Sequence, residues 1–524
     1  MPEQNTSEPD PAAAMARRWQ PISRSFSVPG SLLGEGVNLY ADVSVDVAWR
    51  HTPTGRELTR PAYWCGGDRF AVRFASPEAS GSWVWSVSLD GTPTGIKGTV
   101  GLTPGEPTDA FEAHGPLCMS PDGRSVTHHD GRAFLLVADT PWALPFRATP
   151  QTCRVYAADR RAKGFNAALL MVVQPDMRAE GPEDRKADGG FGRGFFDLPE
   201  RELKRPNPEY FDRLDVLLDT LWDHGIVPVL QPVFQGFGWK GLGVAGCAVP
   251  PADYARFCRY LVARYGHRPV VYLVGGDGSG HESQVVAGGE AVQSCDAYGQ
   301  PTGIHYGPNR VCDAHQSADW LDFQWCQTGH FGHHQPDRAA WLWHQQPAKG
   351  CANGEPTYER SDRASGDWQG HEAWSNLCAG GTMGVVYGAM GLWQWQHHGG
   401  EPGWPEQFCS PGLGWRDALD FPGSRQVGAV GRILSRYDTT GLTPDWTLTW
   451  GLPGLSKPDG ISVIYLPQGG PINVLPEDIP RRYAVFRVAD GACVDEGQLG
   501  VQQDTSPYRS VETPQGAHVV VFGP

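Results

Sequence analysis

Two short strand-like segments of the chain each end in a carboxylate. The first runs from Val270 to Asp277, the second from Gly350 to Glu355, and a loop follows each acid. Because the carboxyl ends of parallel strands meet on one face of a barrel, two such acids would lie close together. One acid that donates a proton and one carboxylate that acts as nucleophile or base are what cleavage of a glycosidic bond requires. The alternative is that both acids only cap the loops that follow.

The positions of these two acids depend on the strands that carry them. In the middle of the chain, sequence patterns typical of strands alternate with patterns typical of helices. Thr149 and Pro150 are suited to the start of a helix, and Gly164 to its end. Alternation with short loops predicts βα units on a parallel sheet. Strands are predicted over 134–139, 166–173, 226–233, 270–274, 303–306, 321–325, the stretch before Glu355, and 391–395, with helices over 149–163, 210–224 and 253–265.

Eight strands are the number of a (β/α)8 TIM barrel, in which Asp277 would end the fourth strand and Glu355 the seventh. On either side the pattern is all-β: alternating runs such as 43–47 and 83–87, and later 461–466 and 517–522, are separated by turn residues. We therefore predict an α/β fold, a barrel flanked by two β-sandwich domains. The predicted division is a disordered tail over 1–22, an N-terminal β-sandwich over 23–115, the catalytic barrel over 116–434 and a C-terminal β-domain over 435–524.

Composition restricts the partners of the protein. The chain of 524 residues is 40% hydrophobic and 19% charged, with a net charge of −15. Such a charge disfavours nucleic acid and anionic membranes. The first 25 residues lack the apolar core of a secretory signal, and the 12 cysteines form no C-x-x-C pair. These features predict a cytoplasmic, reduced protein without a cofactor or a membrane anchor. They leave the oligomeric state open, a homo-oligomer included.

Further candidate residues follow the predicted strand ends. Asp139 could hold sugar hydroxyls while Trp142 stacks on the ring, or the two could be a loop cap and a core residue. The remaining candidates for the pocket wall are His305, Gln324, Trp325, His330 and Trp393.

Histidine-rich stretches suggest a second kind of chemistry. His330, His333 and His334 lie within five residues, and His397 is followed by His398. Three imidazoles can bind a metal, but no acid or cysteine completes a recognised spacing. Imidazoles at the edge of a pocket are the simpler interpretation, so no metal is assigned.

Five motifs carry a resemblance to a known family: 134–142 (FLLVADTPW), 156–166 (YAADRRAKGFN), 275–277 (GGD), 354–359 (GEPTYE) and 379–388 (AGGTMGVVYG), the last leading into Leu392–Trp395. The chain resembles the apiosidase-like glycoside hydrolases. In that family a small β-sandwich precedes the barrel, and a β-domain named for collagen binding follows it. The resemblance implies that Asp277 is the acid/base and Glu355 the nucleophile.

Two nearby acids compete for these roles. Glu282 follows Asp277 and is a substitute acid, and Glu359 follows Glu355 closely enough to be the nucleophile or to bind substrate. The expected function is a retaining, exo-acting glycosidase that releases apiose or another pentofuranose from a short or plant-derived glycoside. Its partner would be a small glycoside or oligosaccharide. The alternatives are a non-catalytic carbohydrate-binding protein on a degenerate barrel, and a metal-dependent hydrolase or lyase that uses the histidine cluster.

Overall fold

The computed structural model describes residues 14–174, 192–236, 246–308, 310–328, 335–361, 366–397, 412–447, 451–458, 460–474, 481–499 and 509–523. Its first part is a β-sandwich of β1 (Ala14–Ala16), β2 (Pro21–Ser27), β3 (Val45–His51), β4 (Glu57–Pro61), β5 (Tyr63–Gly66), β6 (Arg69–Ala75), β7 (Gly81–Leu89) and β8 (Thr92–Leu102). One sheet has the strand order β1-β8-β7-β3-β4 and the other β2-β6-β5. Alternate side chains of β3 are buried between the sheets, where Trp49 stacks on Phe74 with ring centroids 4.1 Å apart.

Part of the predicted tail belongs to this sandwich. β1 pairs in parallel with β8, and β2 pairs with β6 from Pro21 onward, so the prediction of disorder is wrong for residues 14–22. Composition hid these strands because the first 22 residues, taken together, are rich in proline and alanine. Tertiary contacts order it: Ala16 is buried, and the buried Trp19 packs against His129 at 4.9 Å between ring centroids.

A hairpin and a parallel sheet follow. Helix α1 (Ala110–His114) leads into β9 (Leu117–Met119) and β10 (Val126–His128), which pair with each other. The parallel strands are β11 (Leu136–Asp139), β12 (Ala167–Met171), β13 (Val227–Gln231), β14 (Val271–Gly278), β15 (Thr302–Tyr306), β16 (Phe323–Gln327), β17 (Gly350–Glu355) and β18 (Gly384–Tyr387). Their order is β17-β16-β15-β14-β13-β12-β11-β18, and Met383 N donates to Cys351 O across the remaining seam. The sheet is therefore a nearly closed TIM barrel, as predicted.

Helices cover the outside of the barrel. They are α2 (Leu144–Arg147), α3 (Pro150–Lys163), α4 (Pro208–Asp223), α5 (Pro251–Tyr265), α6 (Ser283–Cys295), α7 (Asp337–His344), α8 (Gly366–Cys378), α9 (Trp415–Leu419) and α10 (Pro422–Leu434). Helix α3 begins as its sequence predicts: the Thr149 side chain accepts from Thr152 N, Pro150 is the first helical residue, and Gly164 closes the helix at φ +103°. No described helix is both long enough and apolar enough to cross a membrane.

The predicted eighth strand was placed too late in the chain. Residues 391–395 form turns, with Gly391 at φ +86° and Trp395 at φ +48°, and the eighth strand is Gly384–Tyr387. The prediction failed because tryptophan and glutamine alternate in this segment, and such alternation is typical of a strand. The true strand is only four residues long, and all four are buried, so it carries no alternation to detect.

The C-terminal part is again all-β. It contains β19 (Thr443–Pro444), β20 (Gly454–Ser456), β21 (Ser462–Leu466), β22 (Gly470–Val474), β23 (Arg481–Arg487), β24 (Cys493–Leu499), β25 (Arg509–Thr513) and β26 (His518–Gly523). A six-stranded antiparallel sheet has the order β19-β20-β21-β26-β23-β24, and β22 pairs with β25. Ile464 and Val520 of the large sheet pack with Ile472 and Val511 of the small one, which makes a second sandwich.

Both sandwiches pack on helices of the barrel. Arg73 of the N-terminal sandwich and Arg264 of α5 both bind Asp215 on α4, the latter with Nε 2.8 Å from Oδ1. On the C-terminal side, His371 Nδ1 of α8 lies 2.9 Å from Tyr465 Oη of β21. These contacts hold the two sandwiches against the outer helices of the barrel.

Candidate active site

A β-bulge positions Asp277 at the end of the fourth barrel strand. The pairing of β14 with β15 skips from Gly276 to Gly278, so Asp277 is left without a partner in the ladder, and its φ is +59°. A bulge turns a side chain away from the direction that strict alternation would give it. The Asp277 carboxylate packs against Gly236, where an added Cβ would lie 2.2 Å from Oδ2. Glycine at position 236 therefore makes room for the acid.

A second bulge positions Glu355 at the end of the seventh strand. The pairing of β16 with β17 runs from Asn353 directly to Glu355 and omits Gly354. Gln327, the last residue of β16, donates from Nε2 to Glu355 Oε2 at 2.6 Å. This hydrogen bond fixes one carboxylate oxygen and stabilises its charge.

His305 lies beside both acids. Its Nε2 is 3.3 Å from Glu355 Oε2, and one atom each of Asp277, His305 and Glu355 lie within 4.8 Å of one another. His305 and Glu355 are buried, and Asp277 is partly exposed. The acids predicted from two distant segments of the sequence are thus brought to one place.

Aromatic side chains cover this group. Trp142 donates from Nε1 to Tyr358 Oη at 2.8 Å, and its ring meets the His305 ring edge-on at 5.6 Å between centroids. Burial raises the pKa of the Tyr358 phenol well above its ordinary value, and the charge of Glu355 raises it further. Tyr358 therefore keeps its proton and donates it in a hydrogen bond to Glu355. Trp393 lies behind it, with its ring 6.5 Å from that of Tyr358.

Asp139 lies on the other face of its strand. Val137 and Asp139 face the helices rather than the barrel interior, since Val137 packs near Gly431 of α10. Arg160 of α3 donates from Nε to Asp139 Oδ2 at 2.5 Å, and both side chains are fully buried. The structure therefore does not bring Asp139 to the pocket; its carboxylate joins β11 to α3.

The two competing acids are held elsewhere. Glu359 Oε2 accepts from Tyr387 Oη at 2.7 Å and from Gly423 N at 3.0 Å, which ties β18 to the start of α10. Both oxygens of Glu282 are bound within its own turn, by Ser279 and by Gly280 N. Burial raises the pKa of Glu282, but these hydrogen bonds outweigh it and hold the pKa below its ordinary value. Burial also raises the pKa of Glu359, although the hydrogen bonds from Tyr387 and Gly423 oppose the rise. Glu359 is set aside because those donors tie its carboxylate to β18 and α10, and Glu282 because its lowered pKa does not suit a proton donor.

Strand alternation separates the other two candidates. Gln324 faces outward: its amide bonds Tyr306 Oη and Gln316 Oε1, each at 2.5 Å. It is therefore not part of the pocket. Trp325 faces the barrel interior but lies below the acids, with Nε1 3.1 Å from Met383 Sδ.

Most of the histidines that suggested a metal site lie outside the described part of the chain. Residues 329–334, with His330, and residue 398 lie outside the described residues. A different group, Asp277, His305 and Glu355, has the composition of a cation site. Metal-bound histidines commonly donate their second ring nitrogen to an acceptor. The second ring nitrogen of His305, Nδ1, has no hydrogen-bond partner among the residues that the structure describes, which weighs against a metal.

Comparison with known proteins identifies the family. The model of the apiosidase-like catalytic domain matches residues 120–440, more than half of the chain. The chain belongs to the apiosidase-like glycoside hydrolase family. A second family model, a domain of unknown function named DUF5060, matches residues 15–90. No curated protein matches the sequence.

Solved structures share the fold of this apiosidase-like glycosidase. A family 5 glycoside hydrolase from Bacteroides vulgatus is 18% identical, with a TM-score of 0.62 over 78% of this chain and 94% of that one. A second Bacteroides vulgatus protein, titled as a glycoside hydrolase, is 15% identical, with a TM-score of 0.69 over 97% of this chain and 99% of that one. At such identities the likeness concerns the fold alone.

Sequence reasoning missed three side chains of this glycosidase. Gln327 and Tyr358 both bond Glu355, and Gln231 ends β13 next to Gly276. Gln231 could have been found, because it is a polar residue that closes an apolar strand, the signal used for Asp277. Tyr358 carried no such signal, since it lies in a loop, and Gln327 was overlooked because the predicted strand stopped at residue 325, whereas β16 continues to Gln327.

Proposed function

We propose that this glycosidase is exo-acting and retaining, and that it releases a terminal small sugar, apiose or another pentofuranose, from a short or plant-derived glycoside. The observation that carries the proposal is the spacing of the acids, with an oxygen of Asp277 within 4.8 Å of an oxygen of Glu355. Retaining enzymes hold their carboxylates about 5–5.5 Å apart, whereas inverting enzymes leave roughly 6.5–9.5 Å for a water molecule. The short spacing supports retention.

The two acids have different roles in this mechanism. Glu355 attacks the anomeric carbon while Asp277 gives its proton to the leaving oxygen, which yields a glycosyl-enzyme ester and a free alcohol. Asp277 then takes a proton from water, whose oxygen displaces Glu355 and releases the sugar with its original anomeric configuration. Glu355 suits the nucleophile because hydrogen bonds from Gln327 and Tyr358 hold its carboxylate in place beside Asp277.

The aromatic enclosure supports a small sugar. Trp142 and Tyr358 are each only 2% exposed, and Trp393 is 7% exposed. Aromatic faces of this kind pack against the apolar face of a sugar ring. Such a wall suits one terminal ring better than a long chain.

We also propose that the chain divides into an N-terminal sandwich over 14–115, a catalytic barrel over 116–434 and a C-terminal β-domain over 435–524. The end of α10 at Leu434 and the family match over residues 120–440 support these limits. Strands β1 and β2 extend the first unit toward residue 14.

A substrate screen tests the function. Wild type, Asp277→Asn and Glu355→Gln are assayed on nitrophenyl glycosides and on apiose-bearing flavonoid glycosides, and the first anomer released is followed by proton NMR. We expect hydrolysis by wild type alone, with the retained anomer appearing first. An inverted first anomer would refute retention, and near-full activity in either variant would refute the assigned acids.

A second candidate is a metal-dependent hydrolase, which the cluster of Asp277, His305 and Glu355 favours. The 3.3 Å between His305 Nε2 and Glu355 Oε2 is close to the spacing of two ligands about 2.0–2.1 Å from one zinc ion. The unpartnered second nitrogen of His305 ranks this candidate behind the two-carboxylate mechanism.

A further inference from the structure

Buried polar atoms without a partner lie next to the catalytic acids. Gln231 Oε1 and His305 Nδ1 have no hydrogen-bond partner among the described residues, although both side chains are completely buried. A buried polar atom without a hydrogen-bond partner destabilises the folded protein, because it has lost its contacts with water. Such atoms are commonly satisfied by water or by a ligand. The cost is offset if they bind the substrate.

The orientation of the Gln231 amide is fixed. Its Nε2 donates to Val233 O at 2.7 Å. A backbone carbonyl can only accept, so the nitrogen must point to Val233 and the oxygen must point away from it. Gln231 therefore presents a hydrogen-bond acceptor, which a hydroxyl group can satisfy.

Gln231 lies directly beside the catalytic acid. An added Cβ on Gly276 would lie 2.7 Å from Gln231 Cγ, so the glutamine fills the space that this glycine leaves. Gly276 precedes Asp277 and pairs with His305 on the next strand. Gln231 and His305 therefore lie on opposite sides of the backbone that carries the acid.

A third residue, again a glutamine, is also buried without hydrogen-bond partners among the described residues. Gln174 follows β12, is 1% exposed, and has no partner for either amide atom in the part of the chain that the structure describes. Gln174 follows the second barrel strand, Gln231 ends the third, and His305 is the last residue but one of the fifth, so all three lie toward the face that carries the acids. We call Gln174, Gln231 and His305 the hydroxyl-binding wall.

We infer that the hydroxyl-binding wall selects the sugar, with Gln231 Oε1 accepting a hydrogen bond from one sugar hydroxyl. This inference rests on the proposed function and deepens it, because it assigns substrate selection to residues outside the acid pair. A site built to bond a hydroxyl rejects an analogue that lacks it, since the buried acceptor is then unsatisfied.

Deoxy sugars test the inference. The substrates are the nitrophenyl pentofuranoside that wild type hydrolyses fastest and its monodeoxy analogues. We expect wild type to lose at least about 100-fold in kcat/KM on one analogue. Gln231→Leu should lose a similar factor on the parent substrate, yet hydrolyse that analogue within about threefold of the wild-type rate. Gln324→Leu is the matched control, because Gln324 is a buried glutamine on the outer face of the barrel. This variant should keep the wild-type ratio of kcat/KM between the parent substrate and the analogue.

Several results would overturn it. If wild type and Gln231→Leu discriminate equally between the parent substrate and its deoxy analogues, then water rather than sugar donates the hydrogen bond to Gln231 Oε1. If Gln231→Leu does not fold, the measurements on wild type alone decide. The inference is then contradicted if none of the monodeoxy analogues lowers the wild-type kcat/KM by more than about threefold. If wild type hydrolyses no glycoside, the proposed function fails separately, and calorimetric titration with D-apiose and L-arabinose decides the inference. Binding by wild type that Gln231→Leu lacks supports it, and identical titrations refute it.

Discussion

His305 Nε2 reaches to 3.3 Å from Glu355 Oε2 across an intervening strand, β16. The contact exists because Gly354 has no side chain: an added Cβ would lie 2.9 Å from His305 Cδ2 and 2.8 Å from Trp325 Cβ. Gly354 is therefore needed for the close approach of the His305 imidazole to Glu355, and it is also the residue that forms the bulge in β17.

Glu355 and Glu359 should respond differently to the same substitution. Glu355→Gln should lower kcat by at least about 1,000-fold, because the amide cannot form the glycosyl ester. Glu359→Gln should keep kcat within about threefold and lower stability by about 1–3 kcal/mol, because its carboxylate only ties Tyr387 to Gly423. Steady-state kinetics and urea denaturation of both variants measure this. A catalytic defect in folded Glu359→Gln equal to that of Glu355→Gln would contradict the assignment.

Asp277→Asn should show the signature of a missing acid/base. Hydrolysis of substrates with poor leaving groups should fall about 10²–10⁴-fold, whereas dinitrophenyl glycosides, whose leaving group needs no proton, should still form the glycosyl-enzyme. Added azide should then restore turnover and give a glycosyl azide of retained configuration. Glu282→Gln is the control and should show no azide effect. Azide rescue in Glu282→Gln rather than Asp277→Asn would exchange the two roles.

Chelation separates the two-carboxylate mechanism from its metal-dependent alternative. After dialysis against a strong chelator, activity should stay within about twofold of the untreated enzyme, because proton transfer and nucleophilic attack by the acids need no metal. Activity lost on chelation and restored by zinc, with neither effect in His305→Gln, would instead favour the metal-dependent hydrolase.

A carboxyl group far from the site should shape stability against pH. Asp322 precedes β16 and accepts from Thr302 N at 2.9 Å. Burial raises the pKa of Asp322 to about 6, although Thr302 and Lys349 oppose the rise. Because the folded pKa exceeds the unfolded value of about 3.9, the native state holds the proton longer, and stability falls as pH rises from about 4 to about 6.

Asp322→Asn should remove that part of the pH dependence. The uncharged amide should make the protein up to about 3 kcal/mol more stable than wild type at pH 7 and leave the two nearly equal near pH 4. Urea denaturation across this range measures it, with activity at pH 7 as the control for an intact site. Parallel stability curves would show that Asp322 titrates normally.

The strand ends could be predicted from sequence, and the direction of the side chains could not. Asp277 and Glu355 end the fourth and seventh strands as predicted, because a buried strand that stops at a polar residue is visible in the chain. Asp139 ends a strand in the same way, yet it faces Arg160 in the helical layer. Alternation fixes relative directions along a strand, but only the register of neighbouring strands decides which face is inside.

Local irregularity hid the rest of the site. Asp277 is itself the bulged residue of β14, and Glu355 directly follows the bulge at Gly354. These bulges reset the alternation of side chains, and only nearby glycines mark them in the sequence. Gln327 was missed because the predicted strand stopped at residue 325, before the end of β16. Trp142 could be predicted because it follows a strand that ends on the active face.

The shared carboxylate of Asp215 has a consequence for the evolution of the chain. It binds Arg73 from the sandwich and Arg264 from the barrel, and Arg264 is only 1% exposed. Exchange of the N-terminal sandwich for an unrelated module would remove Arg73 and uncover a nearly buried charge pair, which is costly when one partner is lost. We therefore expect these two segments to be inherited together rather than shuffled as independent modules.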